Sequence, residues 1–349
     1  MSGAKRASRA LALAALAGVV LALAGCGVAE QEDDAVPYVI AGGSTTGVYY
    51  GYGEQLAAVL TRDLDVPVVI AETNGSVDNL LRIGSGEAVV GFAQSDAASD
   101  AVRGIGAFAE PLPIQAVARL YDEYVHVVVR VDSDIERIAD LEGRVVSLGS
   151  RNSGVNVVAT RILDAAGVDA EALENRELGL EASIEALERA DIEAFFWVGG
   201  VPTPGLEDLT DRLPVRLLSV DADAVEGINS RFAGVYRFAE FPTGAYGGEE
   251  PTVTLAVPNY LVTSEAASDE FIHAVLASLF DARVHLAQHV PAAALLDRRS
   301  AIFTDSIDLH PGAISYYRQA RRRTTVRVES GGRTLKKHSR TMTSRLARP

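Results

Sequence analysis

Three features of the 349-residue sequence predict an α/β fold of two lobes with a cleft between them. Short apolar runs at Tyr38 to Ala41, Pro67 to Ala71 and Ala88 to Ala93 alternate with segments whose apolar residues recur at helical spacing, the pattern of a parallel sheet wrapped by helices. Each run ends in a polar cluster: Gly42 to Gly47, Glu72 to Ser76, and Gln94 to Asp96. In a parallel sheet these clusters share one edge, beyond the carboxyl ends of the strands, where α/β proteins hold ligands. The same strand, Gly/Ser turn and helix recur from Arg144 to Ala166, far enough downstream to build a second lobe.

In the opening unit, Gly42-Gly43-Ser44-Thr45-Thr46-Gly47 turns the chain, and Val48, Tyr52, Leu56 and Val59 mark one helix face. Its glycines let the main chain turn sharply or approach a ligand, its hydroxyls can cap the helix or face outward, and free N–H groups at a helix start favour an anion. The loop matches neither GxGxxG nor GxxxxGK[ST], and alone it fits a structural turn as well as a ligand-facing one. Gly75-Ser76 opens the next helix, with Val77, Leu80 and Leu81 on its apolar face. Ile114 to Leu120 and Tyr124 to Val129 read as two strands around Tyr121-Asp122-Glu123, the second leading into another lobe.

The second lobe starts with a helix-like stretch at Ile135, then a strand from Arg144 to Leu148, the turn Gly149 to Gly154, and a helix from Val155 that Gly167 closes. Leu180, Ile184 and Leu187 stripe a further helix, Ala194 to Val198 is a strand, and Pro202-Thr203-Pro204 forces a loop. Val215 to Val220 and Tyr236 to Phe238 are short strands. Thr252 to Val257 and Tyr260 to Val262 return the chain to the first lobe, followed by one long helix over Phe271 to Leu286 and a short one opened by Pro311. The expected layout is a first lobe over 38–124, an inserted lobe over 125–240 and a return over 241–320, so that two crossings make a hinge.

The ends differ from this body. Residues 1–25 combine Lys5, Arg6 and Arg9 with an apolar run of about 15 residues, too short to span a membrane, and read as an export signal. Leu23-Ala24-Gly25-Cys26 resembles a bacterial lipobox, so Cys26, the only cysteine, is the expected lipidation site and 26–37 an acidic tether. An extracytoplasmic protein follows, lipid-anchored to the cell membrane or periplasmic. Residues 321–349 are basic, with eight Arg and two Lys against one Glu, and read as a disordered tail. With three further positive charges in the signal, the net −15 of the chain leaves 26–320 at −27, which excludes nucleic acid as a partner of the body.

Catalysis finds little support. The histidines form no HExxH; His285 and His289 are four apart without an evident carboxylate partner and read as a solvated helix face. No GxSxG elbow is present, and neither a metal nor a cofactor is expected.

Several segments together carry a resemblance. Gly42 to Tyr50 (GGSTTGVYY), Glu72 to Leu80 (ETNGSVDNL), Gly91 to Asp96 (GFAQSD), Asp191 to Gly199 (DIEAFFWVG), Pro242 to Gly247 and the closing HPGAISYY from His310 resemble, in order, the TAXI group of TRAP-transporter solute-binding receptors. The resemblance implies a type II-like periplasmic-binding-protein fold with an interlobe ligand cleft. It also implies a monomeric receptor that captures a small organic anion or amino acid, such as glutamate or glutamine, for the membrane subunits of a TRAP-type secondary transporter.

Carried onto this chain, the ligand-facing positions are Ser44, Thr45, Tyr49, Asn74, Gln94 and Asp96, with Ser150, Arg151, Asn152, Ser153 and Gly154 from the second lobe. Arg151 and Asn152 depart from the family's G-x-P-G-S-G-T-like loop: Arg151 either offers a fork to a carboxylate or points to solvent. Trp197, at the end of an apolar run, either packs in the core or lines the pocket, and Asp96 either meets the ligand or caps its helix. A ligand-binding sensory lipoprotein that signals to a membrane kinase is the alternative, and neighbouring genes for polytopic TRAP subunits or for a sensor kinase would separate the two.

Overall fold

The computed structural model describes residues 36–232, 234–248 and 251–322. The export signal, Cys26, most of the tether and most of the basic tail lie outside them; Arg321 and Arg322, assigned to the tail by sequence, continue the final helix.

The first lobe begins with β1 (Tyr38–Ala41), α1 (Val48–Leu64), β2 (Val68–Ala71), α2 (Ser76–Ser85), β3 (Val90–Gln94) and α3 (Ser95–Arg103). Then β4 (Ile114–Arg130) crosses to the second lobe, built from β5 (Val145–Ser147), α4 (Gly154–Ala165), β6 (Glu174–Asn175), α5 (Leu180–Glu188), β7 (Ala194–Gly199), α6 (Pro204–Thr210), β8 (Val215–Leu217), α7 (Ala222–Arg231) and β9 (Arg237–Phe241). The chain returns along β10 (Thr252–Ser264) and ends with α8 (Asp269–Asp281), α9 (Arg283–His289) and a helix, α10, over 311–322. Strand order is β2-β1-β3-β10-β4-β7-β5-β6, with β8 on β4 and β9 on β10. β1, β2 and β3 are parallel, so their polar ends do share an edge.

The crossings are continuous strands. Ile114 to Leu120 and Tyr124 to Val129 belong to one 17-residue strand, and Thr252 to Val257 and Tyr260 to Val262 belong to one 13-residue strand. Val125, Val127 and Val129 enter one apolar cluster of the second lobe and Val128 the cluster on the opposite face, the alternation of a strand with helices on both sides. Pro258, which cannot donate to a ladder, lies opposite Asp122 beside a register shift at Asn259.

Each lobe buries both faces of its sheet. In the first, α1 and α8 cover one face through Tyr52, Leu56, Leu276 and Leu279, and α2 and α3 cover the other through Leu80, Ile83 and Ala97. In the second, α4 and α7 bury Val158, Ile162 and Ile228, and α5 and α6 bury Leu187 and Leu206. The helix expected over Phe271 to Leu286 is interrupted at Ala282, which caps α8, and the stretch from Ile135 holds only a single 3-10 turn at Ile138–Leu141.

Candidate functional site

The strand ends of the two lobes enclose a cavity of about 230 Å³. Its walls include the residues that open four helices: Gly47 and Val48 of α1, Gly75 and Ser76 of α2, Gly154 and Val155 of α4, and Gly179 to Ala182 of α5. α1, α2 and α5 have glycine at the N-cap and no side chain bonded to their first turns; α4 alone is capped, by Ser153 Oγ accepting from the Asn156 N–H at 3.0 Å. Those first turns carry N–H groups that lack intrahelical partners, and together they give the cavity positive partial charge. No Lys, Arg or His is among the described residues that line it, so a bound anion would meet these backbone groups and the hydroxyl and amide side chains of the lining, such as Ser44, Asn74 and Ser150.

Three carboxylates supply the opposite character: Glu72 and Glu181, which are exposed, and Glu123, in the polar middle of β4. Its carboxylate is buried, accepts from Tyr49 Oη at 2.8 Å and Tyr121 Oη at 3.2 Å, and lines the cavity. Asn259 Nδ2 donates to Tyr49 Oη at 2.6 Å, which directs the phenol proton to Glu123. Burial raises the Glu123 carboxyl to about 8, against the lowering effect of its bonds to Tyr49, Gln94 and Tyr121. Gln94, also buried, has an Oε1 without a hydrogen-bond partner.

The lobes touch around this space. Asp78 N–H donates to Asn152 O at 2.9 Å, Ser150 Oγ to Asn74 O at 3.4 Å, and Gly205 N–H to Thr46 O at 3.3 Å. Gly75 adopts φ +112°, a conformation that favours glycine, beside Ser153 of the other lobe. Arg161 of α4 reaches across to Asp96 Oδ2 at 3.2 Å and to Asp100 of α3, and its Nη1 donates to Tyr236 Oη at 2.8 Å. All four side chains of this cluster are buried, with the Arg161 guanidinium 4.1 Å from the centre of the Phe232 ring.

Of the positions singled out by sequence, Ser44, Tyr49, Asn74, Gln94, Ser150, Ser153, Gly154 and Trp197 line this same cavity. Trp197 is half-buried, lays its ring over Gly47 and donates from Nε1 to Thr203 Oγ1 at 3.2 Å. Thr45 is exposed and not part of the lining. Asp96 is turned away into the Arg161 cluster, and its Oδ1 accepts from the Ala97 N–H. Asn152 stands outside the lining and contributes its carbonyl to the contact with α2.

Arg151 is 78% exposed and paired with Glu177 at 2.8 Å. An exposed pair of this kind contributes little, so Arg151→Ala is expected to change ligand affinity by no more than about twofold, measured by calorimetry. Glu123, Ser76 and the start of α5 also line the cavity, beyond the positions the sequence points to; a carboxylate inside an otherwise strand-like run is the signal for the first. Among the described residues no group of three or more His, Cys, Asp or Glu is placed to hold a metal ion.

Solved structures of similar fold include MatC from Rhodopseudomonas palustris with bound malate, with a TM-score of 0.53 at 12% identity over 77% of this chain and 94% of that one. Others are the alkanesulfonate-binding protein SsuA from Xanthomonas axonopodis pv. citri bound to MOPS, with a TM-score of 0.48 at 13% identity over 80% and 83% of the two chains, and the GluR0 ligand-binding core from Nostoc punctiforme in complex with (L)-glutamate, with 0.46 at 11% over 73% and 99%. The fold is the two-lobed α/β arrangement of type II periplasmic-binding proteins. A family model matches residues 40–320, and the chain belongs to the NMT1-like family.

Proposed function

We propose that this protein is an extracytoplasmic solute receptor that captures a small carboxylate or amino acid, such as glutamate or glutamine, for the membrane subunits of a TRAP-type secondary transporter. The observation that carries the reading is the cavity between the lobes, where glycine-capped helix starts from both sides supply anion-binding groups without a cationic side chain. Catalysis is not part of the reading: the buried carboxylate has two phenols and an amide around it, and the nearby Ser76 hydroxyl bonds the Tyr49 phenol and accepts from the Gln94 N–H. The transporter type rests on the TAXI-like segments from Gly42 to Tyr317. An export signal with Cys26 as lipid anchor fits a receptor held at the outer face of a membrane.

Capture requires the lobes to part and close, with β4 and β10 as the hinge. Denaturing the purified protein and identifying released small molecules by mass spectrometry tests the reading. A stoichiometric small carboxylate or amino acid is expected. A protein that releases nothing, and that no amino acid, dicarboxylate or hydroxy acid stabilises in a thermal-shift screen, would contradict it.

A further inference from the structure

We infer that Glu123 is the seat of a cationic amine on the ligand, so that the cavity selects a zwitterion over the corresponding dianion and expels a proton on binding. The inference rests on the receptor reading above and deepens it. The cavity is polarised: helix-start N–H groups line it from both lobes, while the buried acceptors gather at Glu123, with the unpartnered Gln94 Oε1 beside it; the two other carboxylates of the lining, Glu72 and Glu181, are exposed to solvent. A buried carboxyl group either keeps its proton or has a cation paired to it, and none of the described lining residues supplies a cation. A ligand with a carboxylate at one end and an ammonium at the other satisfies both walls at once. A dianion would bring a second negative charge towards Glu123.

Three carboxylates line the cavity, Glu72, Glu123 and Glu181; Glu72 and Glu181 face solvent, and Glu123 alone is buried. Tyr49 from α1 and Tyr121 from β4 are both raised well above the ordinary phenol range, by burial first and then by the Glu123 charge, so they remain neutral donors. Gln94 of β3 and Asn259 of β10 are uncharged. Asp96, the next carboxylate, is paired with Arg161, and its charge adds to the upward push on Glu123. With the cavity empty, Glu123 holds its proton below about pH 8. An arriving ammonium favours the carboxylate, lowers its pKa and displaces that proton, so affinity rises with pH up to about 8 and levels off above it.

The test titrates the purified protein with L-glutamate and L-glutamine, and with glutarate and 2-hydroxyglutarate as amine-free counterparts, by calorimetry in buffers of different ionisation enthalpy. Trp197, the single tryptophan, gives a second, fluorescent readout. Expected are binding of an amine-bearing member with release of about one proton at pH 6, about tenfold lower affinity per pH unit below pH 8, and weaker binding of the amine-free counterparts. Glu123→Gln, which keeps acceptor and donor atoms for the two phenols, is expected to lose tenfold or more in affinity for the amine and to abolish proton release. Its thermal melt reports whether it folds, and the proton count of the unaltered protein stands independently of that. Tighter binding of an amine-free compound, proton uptake, or full amine selectivity in Glu123→Gln overturns the assignment and leaves the receptor reading standing. No saturable binding by any of the four, from a protein that also releases no small molecule, overturns both.

Discussion

Replacing Arg161 by methionine is expected to weaken ligand capture by about 100-fold or more. Arg161 joins α4 of one lobe to Asp96 and Asp100 of α3 in the other, and all three are buried. Removing one partner of a buried pair costs roughly 3–5 kcal/mol because the remaining charge is left without water or a counterion. Here two carboxylates would be stranded, and burial already pushes Asp100 upward. With the lobes parted the same carboxylates regain water, so the cost falls on the closed state, and 3 kcal/mol there is about a hundredfold in affinity. Combining Arg161→Met with Asp96→Asn and Asp100→Asn removes the stranded charges and is expected to restore most of the loss. Calorimetry on the single and triple variants measures this; an affinity of Arg161→Met within threefold of the unaltered protein would show that the cluster does not govern closure.

Gly154→Val is expected to lower affinity by about 10- to 100-fold through a steric route. A side chain at Gly154 would press against the Gln94 amide oxygen and lie 2.7 Å from Ser76 Oγ, both across the cleft and both buried. Overpacking of this kind costs about 1–3 kcal/mol. Gly154 opens α4, where a residue with a Cβ suits the helix at least as well, so the second lobe's own stability is expected to change little. Equal loss of thermal stability and affinity would point to a damaged lobe in place of obstructed closure.

How far the sequence disclosed this molecule depended on what each residue's surroundings ask of it. β1, β2 and β3 were legible because apolar runs bounded by Gly, Ser and Asn clusters have few alternatives to a buried strand and a turn. The continuity of β4 was not. Tyr121-Asp122-Glu123 reads as a break, yet the strand there leaves one core and enters the next, and Glu123 of this polar middle faces the cleft. Pro258 misleads in the same way at the matching point of β10.

Asp96 shares its polar cluster with Gln94, and pattern alone does not say which side chain turns towards the cavity and which towards Arg161. Arg161 itself lies on the apolar face of α4, three residues after Val158, and a cation in that stripe was the legible sign of a buried partner. The interruption of the last long helix at Ala282 has no glycine or proline to mark it.

A crystal structure of the protein with the compound released from it tests most directly whether helix starts from both lobes grip one small molecule between them. The expected result is a carboxylate within hydrogen-bond distance of backbone N–H groups opening α2 in one lobe and α5 in the other, with Glu123 at the far end of the ligand. A ligand held by a single lobe, or seated outside the cavity lined by Ser76, Gly154 and Trp197, would contradict it.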